Sequence, residues 1–234
     1  MSTTASTHSN SPYGTVKVQN NTLFINTREQ CSLSYPEDAS ERLLVEYALE
    51  PLDGRFNVLN IGLGCGLTLE KCLEYDADVD VVEINYQVVL ANKVMTNVLT
   101  NPRTNLIVDD GLNYLRHNKK KYDSILIDVE NPSIAHSSNL YTVEAFKIIK
   151  DSLTERGTFA LWNYGGNDRY QDILYYSLNE AFPFIYSHQF VFLASSKKLN
   201  QTEYVPNSTY EINTIDKNTL TDAYCSTIDC ETRR

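Results

Sequence analysis

The sequence predicts an α/β protein: a doubly wound, mostly parallel sheet with helices on both faces, preceded by a small N-terminal β-hairpin. Three observations predict it. From residue 57 onward, short runs that are apolar almost throughout alternate with amphipathic helical patterns, and strands without a polar face need cover on both sides. The first run leads into Gly62-Leu63-Gly64-Cys65-Gly66, and the second carries an acidic residue, Glu83, at its end. With 234 residues, 42% hydrophobic and 21% charged, the chain suits one α/β domain plus an appendage, at roughly 150 residues per domain.

The elements follow in order. Residues 1–11 are rich in Ser, Thr and Asn and read as a disordered tail. Residues 12–54 hold two short strands, Thr15 to Gln19 and Leu23 to Asn26, around Asn20-Asn21, then a helix carried by Leu43, Leu44, Tyr47 and Ala48, which Pro51 and Asp53-Gly54 stop. Residues 55–198 form the main domain. Its strands are expected at Val58 to Ile61, Asp80 to Ile84, Asn105 to Val108, Ser124 to Asp128, Thr158 to Asn163 and Gln189 to Ala194. Its helices are expected at Leu67 to Tyr75, Tyr86 to Val98, Leu112 to His117, Thr142 to Leu153 and Tyr170 to Phe182. Residues 199–234 are polar and read as a tail with at most one helical turn, near Lys217 to Tyr224.

Composition narrows the function classes. A net charge of −10 repels phosphate backbones and anionic membranes, so neither nucleic acid nor membrane is expected as a partner. No run approaches ~18 apolar residues and the first residues lack a signal-peptide pattern, which points to the cytoplasm. The five cysteines are odd in number and form no Cys-x-x-Cys pair, which argues against a structural zinc or a disulfide framework. The four histidines are scattered, so no metal site is expected.

The glycine turn carries the ligand prediction. Gly62, Gly64 and Gly66 let the backbone turn sharply and let a ligand approach the main chain at the carboxyl end of the first strand. Glu83 stands twenty-one positions after Gly62, where a carboxylate can accept both hydroxyls of a ribose. A dinucleotide fingerprint would place its third glycine at Leu67, so NAD is disfavoured. The Gly-x-Gly-x-Gly form points instead to S-adenosylmethionine (SAM), and Asp110-Gly111, after the third strand, can meet the adenine amino group. The sheet is therefore read as Rossmann-like, of the SAM-dependent methyltransferase type. Asp128, at the end of the fourth strand, is placed to hold an ammonium and take its proton.

Several segments together resemble the spermidine synthase-like (polyamine aminopropyltransferase) superfamily: Val58 to Gly66, Val82-Glu83-Ile84-Asn85, Asn101-Pro102-Arg103, Asp109-Asp110-Gly111, Tyr122 to Asp128, Asn131-Pro132 and Leu140-Tyr141-Thr142. The resemblance runs from Ser11 to about Ser196. It implies that Glu83 binds ribose, Asp110 binds adenine, and Asp128 lies beside the sulfonium and orients or deprotonates an attacking amine. It also implies a homodimer or larger assembly, since an N-terminal hairpin of about fourteen residues should pack on a neighbour.

Departures from the family pattern shape the expected reaction. At Cys65 the family usually has an Asp that holds the donor's amine, and at Asn131 a second Asp that grips the acceptor; its Tyr-x-Glu motif has become something near Ser40-Glu41-Arg42. Each lost charge-assisted partner is worth about 1.5 to 3 kcal/mol, and a neutral Cys65 tolerates the carboxylate of intact SAM. The sequence therefore favours methyl transfer from SAM to a small nucleophile, an amine first, with Asn131, Tyr141 and Asn163 as acceptor contacts. The alternatives are polyamine aminopropyl transfer from decarboxylated SAM, cyclisation or lysis of SAM itself, or a nucleoside sensor without catalysis.

Overall fold

Strand side chains of the main sheet alternate between two apolar layers, and this is what builds the molecule. The computed structural model describes residues 8–34, 40–129, 137–163 and 167–225. In β5 (Asn57–Ile61), Val58 enters one core while Leu59 and Ile61 enter the other, the period-two pattern of a strand covered on both faces. The first core is closed by α1 (Ser40–Leu49), α2 (Leu67–Glu74) and α3 (Tyr86–Met95). The second is closed by α4 (Gly111–His117), α5 (Val143–Ser152), α6 (Asp168–Asn179) and α7 (Thr219–Cys225).

The remaining strands are β6 (Asp78–Glu83), β7 (Thr104–Val108), β8 (Tyr122–Ile127), β9 (Leu153–Trp162), β10 (Phe184–His188) and β11 (Val191–Ser195). The sheet runs β10-β11-β9-β8-β5-β6-β7. The five strands from β9 to β7 are parallel, and β11 lies antiparallel between β9 and β10. Chain order reverses between β5 and β8, so a crevice opens at their carboxyl ends. Strand β10 is absent from the sequence-based assignment because Phe184 to His188 sits one tight turn before β11, with Gln189 at φ 51°.

The N-terminus differs from the predicted hairpin. It is a four-stranded antiparallel sheet, β1 (His8–Ser11), β2 (Gly14–Gln19), β3 (Thr22–Ile25) and β4 (Arg28–Ser32). Residues 8–11 are thus a strand rather than part of a tail, paired from His8 opposite Lys17 to Ser11 opposite Gly14. Asn20 and Asn21 both take positive φ, 51° and 60°, as a two-residue hairpin turn requires. Strand β4 escaped sequence reading because Arg28-Glu29-Gln30 offers no apolar alternation. Val16, Val18 and Leu23 are buried in one core with Val88 and Val89 of α3, so this sheet finds its apolar cover within its own chain.

The segment after residue 199 is packed as far as α7, contrary to the reading of a polar tail. Buried Asp172 of α6 accepts from the Tyr204 hydroxyl at 2.8 Å and from the amides of Asn207 and Ser208. Asn213, also buried, donates to the Tyr141 carbonyl at 2.8 Å. Few apolar positions mark this stretch, because side-chain and backbone hydrogen bonds rather than a hydrophobic stripe tie it down. No helix among the described residues is long and apolar enough to cross a membrane.

Candidate active site

The crevice is built around Gly62. Its φ is 100°, and a Cβ there would lie 2.0 Å from the Asp128 carbonyl oxygen, so no other residue fits the crossing of β5 and β8. The Gly62 amide donates to Val82 at 2.8 Å and the Asp128 amide to Ile61 at 3.0 Å, which locks the turn to both neighbouring strands. Gly66, φ 86°, opens α2, and a Cβ there would come within 2.8 Å of Asn92 and Val98. Asn92 Nδ2 in turn donates to the Gly64 carbonyl at 3.3 Å.

Glu83, buried at the end of β6, braces this turn: Oε2 accepts from the Leu63 amide at 2.9 Å and Oε1 from the Asn85 amide at 2.7 Å. A carboxylate has about four lone-pair sites, more than these two amide bonds occupy. Asp110 caps α4, with Oδ1 accepting from the Asn113 amide at 2.8 Å. Gly111 packs on Ile61, where a Cβ would approach within 2.5 Å.

Asp128 is partly buried just beyond β8, and Thr68 of α2 donates to its Oδ2 at 2.5 Å. Burial first, and then the Glu41 charge, push the Asp128 carboxyl up to about 7, while the Thr68 hydrogen bond pulls it down. Burial, then the Asp128 charge, also pushes the Cys72 thiol up.

These groups share a cleft of about 440 Å³, a size suited to a nucleoside-sized ligand. Gly62, Gly64, Cys65, Gly66, Glu83, Asp110, Gly111 and Asp128 all line it. Tyr141 and Asn163 do not. Tyr141 is fully buried in the core with Phe146, and Asn163 is buried where its amide donates to the Phe190 carbonyl at 2.8 Å. Asn131 lies outside the described residues.

Sequence reasoning did not identify the opposite wall. Tyr13, Arg28, Glu29 and Cys31 reach the cleft from the N-terminal sheet, and Glu41 reaches it from the first turn of α1. Glu41 left a signal as part of the altered Ser40-Glu41-Arg42 segment, and Tyr13 stands at the start of the family resemblance. The expectation against disulfides is corrected: Cys31 and Cys65 are bonded, with Cα atoms 5.9 Å apart, within the bridgeable range. An odd cysteine count does not exclude a pair, and Cys31 of β4 lies against the glycine turn, its Sγ 3.5 Å from where a Cβ on Gly64 would stand. Cys65 therefore presents a disulfide sulfur, not a thiol, beside the cleft.

Residues 37–171 match the family model for the spermine/spermidine synthase domain. The chain belongs to the spermine/spermidine synthase family. Among its relatives, the polyamine aminopropyltransferase of Saccharolobus solfataricus is 32% identical over 145 residues, 58% of this chain and 48% of the relative. That of Prochlorococcus marinus is 33% identical over 125 residues, 50% and 44% respectively. The chain thus spans about half the length of the curated relatives it matches. Of solved structures, a spermidine synthase in complex with the transition-state analogue AdoDATO superposes with a TM-score of 0.68 at 18% identity, covering 93% of this chain and 83% of the other. Human methyltransferase-like protein 13 in complex with SAH gives 0.54 at 18% identity, over 71% and 84%. At such identities these two matches show the shared α/β fold and no more.

Proposed function

We propose that this chain transfers the aminopropyl group of decarboxylated SAM to a small amine. The observation that carries the proposal is the acidic character of this cleft: Asp128 and Glu41 line it with Glu83 and the glycine turn. The preference for methyl transfer rested on charges lost at Cys65 and Asn131. Glu41, whose charge acts on Asp128, and Glu29 line the same cleft from segments outside those motifs, which favours a donor carrying a sulfonium and an ammonium but no carboxylate. The names of the curated relatives point the same way.

In this reading the ribose hydroxyls meet Glu83, the adenine lies toward Asp110, and Asp128 faces the amine. The amine lone pair attacks the donor carbon next to the sulfonium, the carbon–sulfur bond breaks, and the ammonium proton passes to the Asp128 carboxylate. Proximity and a raised pKa suit Asp128 to this work, because a base near the working pH is both ionised and able to hold a proton.

Methyl transfer from intact SAM is the second reading, favoured by Arg28, which lines the cleft and whose guanidinium is suited to donate to a donor carboxylate. Calorimetric titration with SAM and with decarboxylated SAM separates the two. Tighter binding of the decarboxylated donor is expected, and tighter binding of SAM would reverse the choice.

A further inference from the structure

Cys31 and Cys65 belong to different parts of the fold. Cys31 sits in β4, and Cys65 is the centre of the glycine turn, 34 residues later. Their bond is the disulfide among the described residues, and it joins the N-terminal sheet to the turn that walls the cleft. Cys31 is partly exposed and lines the cleft, whereas Cys65 is 3% exposed. A small thiolate entering the cleft therefore meets the Cys31 sulfur first. Cys72, by contrast, is fully buried and takes no part.

The two ends of the bond are held unequally without it. The N-terminal sheet keeps its place through Val16, Val18 and Leu23 in the core, but β4 is a polar edge strand paired on one side only. The turn keeps its bonds from the Gly62 amide to Val82, from the Leu63 amide to Glu83 and from the Gly66 amide to the Leu63 carbonyl, yet Gly64 beside Cys65, at positive φ, has alternative conformations to visit. Breaking the crosslink thus leaves the fold standing and frees the two segments that face a ligand.

We infer that the Cys31–Cys65 bond is a thiol–disulfide exchange site that sets the cleft's affinity: the oxidised form holds β4 against the glycine turn, and the reduced form releases both. The co-reactant is a dithiol. Its thiolate attacks Cys31 Sγ, and the Cys65 sulfur leaves with the bonding pair and takes a proton. The dithiol's second sulfur then attacks the mixed disulfide, releasing the Cys31 thiol. Two electrons and two protons pass to the protein, and the dithiol becomes a disulfide. The effect on a nucleoside ligand rests on the donor-site reading above, while the change in the two segments does not.

The test uses the full chain, oxidised and after dithiothreitol. Peptide mapping without reduction should recover the segments containing Cys31 and Cys65 joined. Reduction should speed amide hydrogen exchange in residues 28–33 and 62–67 by about tenfold, and should weaken binding of 5′-methylthioadenosine by about fivefold or more. Reoxidation should restore both, and Cys31→Ser should match the reduced form with or without dithiothreitol. Absence of the joined peptides, or exchange unchanged within about twofold, overturns the inference whether or not the variant folds. Faster exchange with unchanged affinity overturns the control of binding. Faster exchange with no binding in either state supports the exchange site and overturns the donor-site reading instead.

Discussion

The Thr68 hydroxyl donates a 2.5 Å hydrogen bond to Asp128 Oδ2, joining the first turn of α2 to the end of β8 across 60 positions of sequence. One carboxylate oxygen is thereby fixed, in a residue that lines the cleft. The same bond opposes burial and the Glu41 charge in setting the carboxyl's acidity, so Thr68 and Glu41 act on the candidate base from opposite directions.

That opposition gives a pH profile with a defined sign. With the Asp128 carboxyl near 7, kcat/KM should rise with pH up to about 7 and level off above it, because the base works ionised. Glu41→Gln removes a neighbouring like charge and should move the inflection down, whereas Thr68→Val removes a stabilising donor and should move it up. Stability runs the other way. A folded-state pKa raised from the usual ~3.9 means that the contribution is complete below about 4 and lost as pH rises through about 7. Steady-state rates and thermal melts across pH 5 to 9 check both.

Asp128→Asn should leave donor affinity within a few-fold and lower turnover by about 100-fold or more, since a general base supplies 10² to 10⁴ and an amide cannot take the proton. Calorimetry paired with saturating-donor rates checks it. Near-normal turnover would make Asp128 a positional residue.

Glu83→Gln should act on binding and on the turn together. One of the two amides now satisfied, Leu63 or Asn85, would face an NH₂ group in place of an oxygen. The expected loss is about 1 to 3 kcal/mol of nucleoside affinity, with a lowered melting temperature and turnover at saturation largely kept.

Gly62→Ala should destabilise the fold by about 2 kcal/mol or more, because the added Cβ meets the Asp128 carbonyl at 2.0 Å with φ at 100°. Chemical denaturation measures it. A variant of native stability would mean that β5 and β8 can separate at the cleft.

The sequence showed the half of this site that strand order builds. Gly62, Glu83, Asp110 and Asp128 each sit at or just beyond the end of a parallel strand, and the almost wholly apolar runs locate those ends. The opposite wall comes from β4 and the start of α1, where Arg28 and Glu29 read as ordinary surface polarity, Glu41 shows only as part of an altered motif, and the folding-over of the N-terminal sheet brings all three to the cleft. Tyr141 and Asn163 lie beside motifs, yet burial decides against them: a tyrosine in a loop has no sequence mark distinguishing a ligand contact from a core anchor. The Cys31–Cys65 bond needed the same three-dimensional fold-over to become visible.

Product analysis tests the proposed chemistry most directly. The oxidised chain is incubated with decarboxylated SAM and putrescine, and in parallel with SAM and putrescine, and the nucleoside products are identified by mass spectrometry. Aminopropyl transfer predicts 5′-methylthioadenosine and an aminopropylated amine from the first mixture, with the Asp128→Asn chain producing both about 100-fold more slowly. S-adenosylhomocysteine and a methylated amine from the second mixture, with nothing from the first, would contradict it.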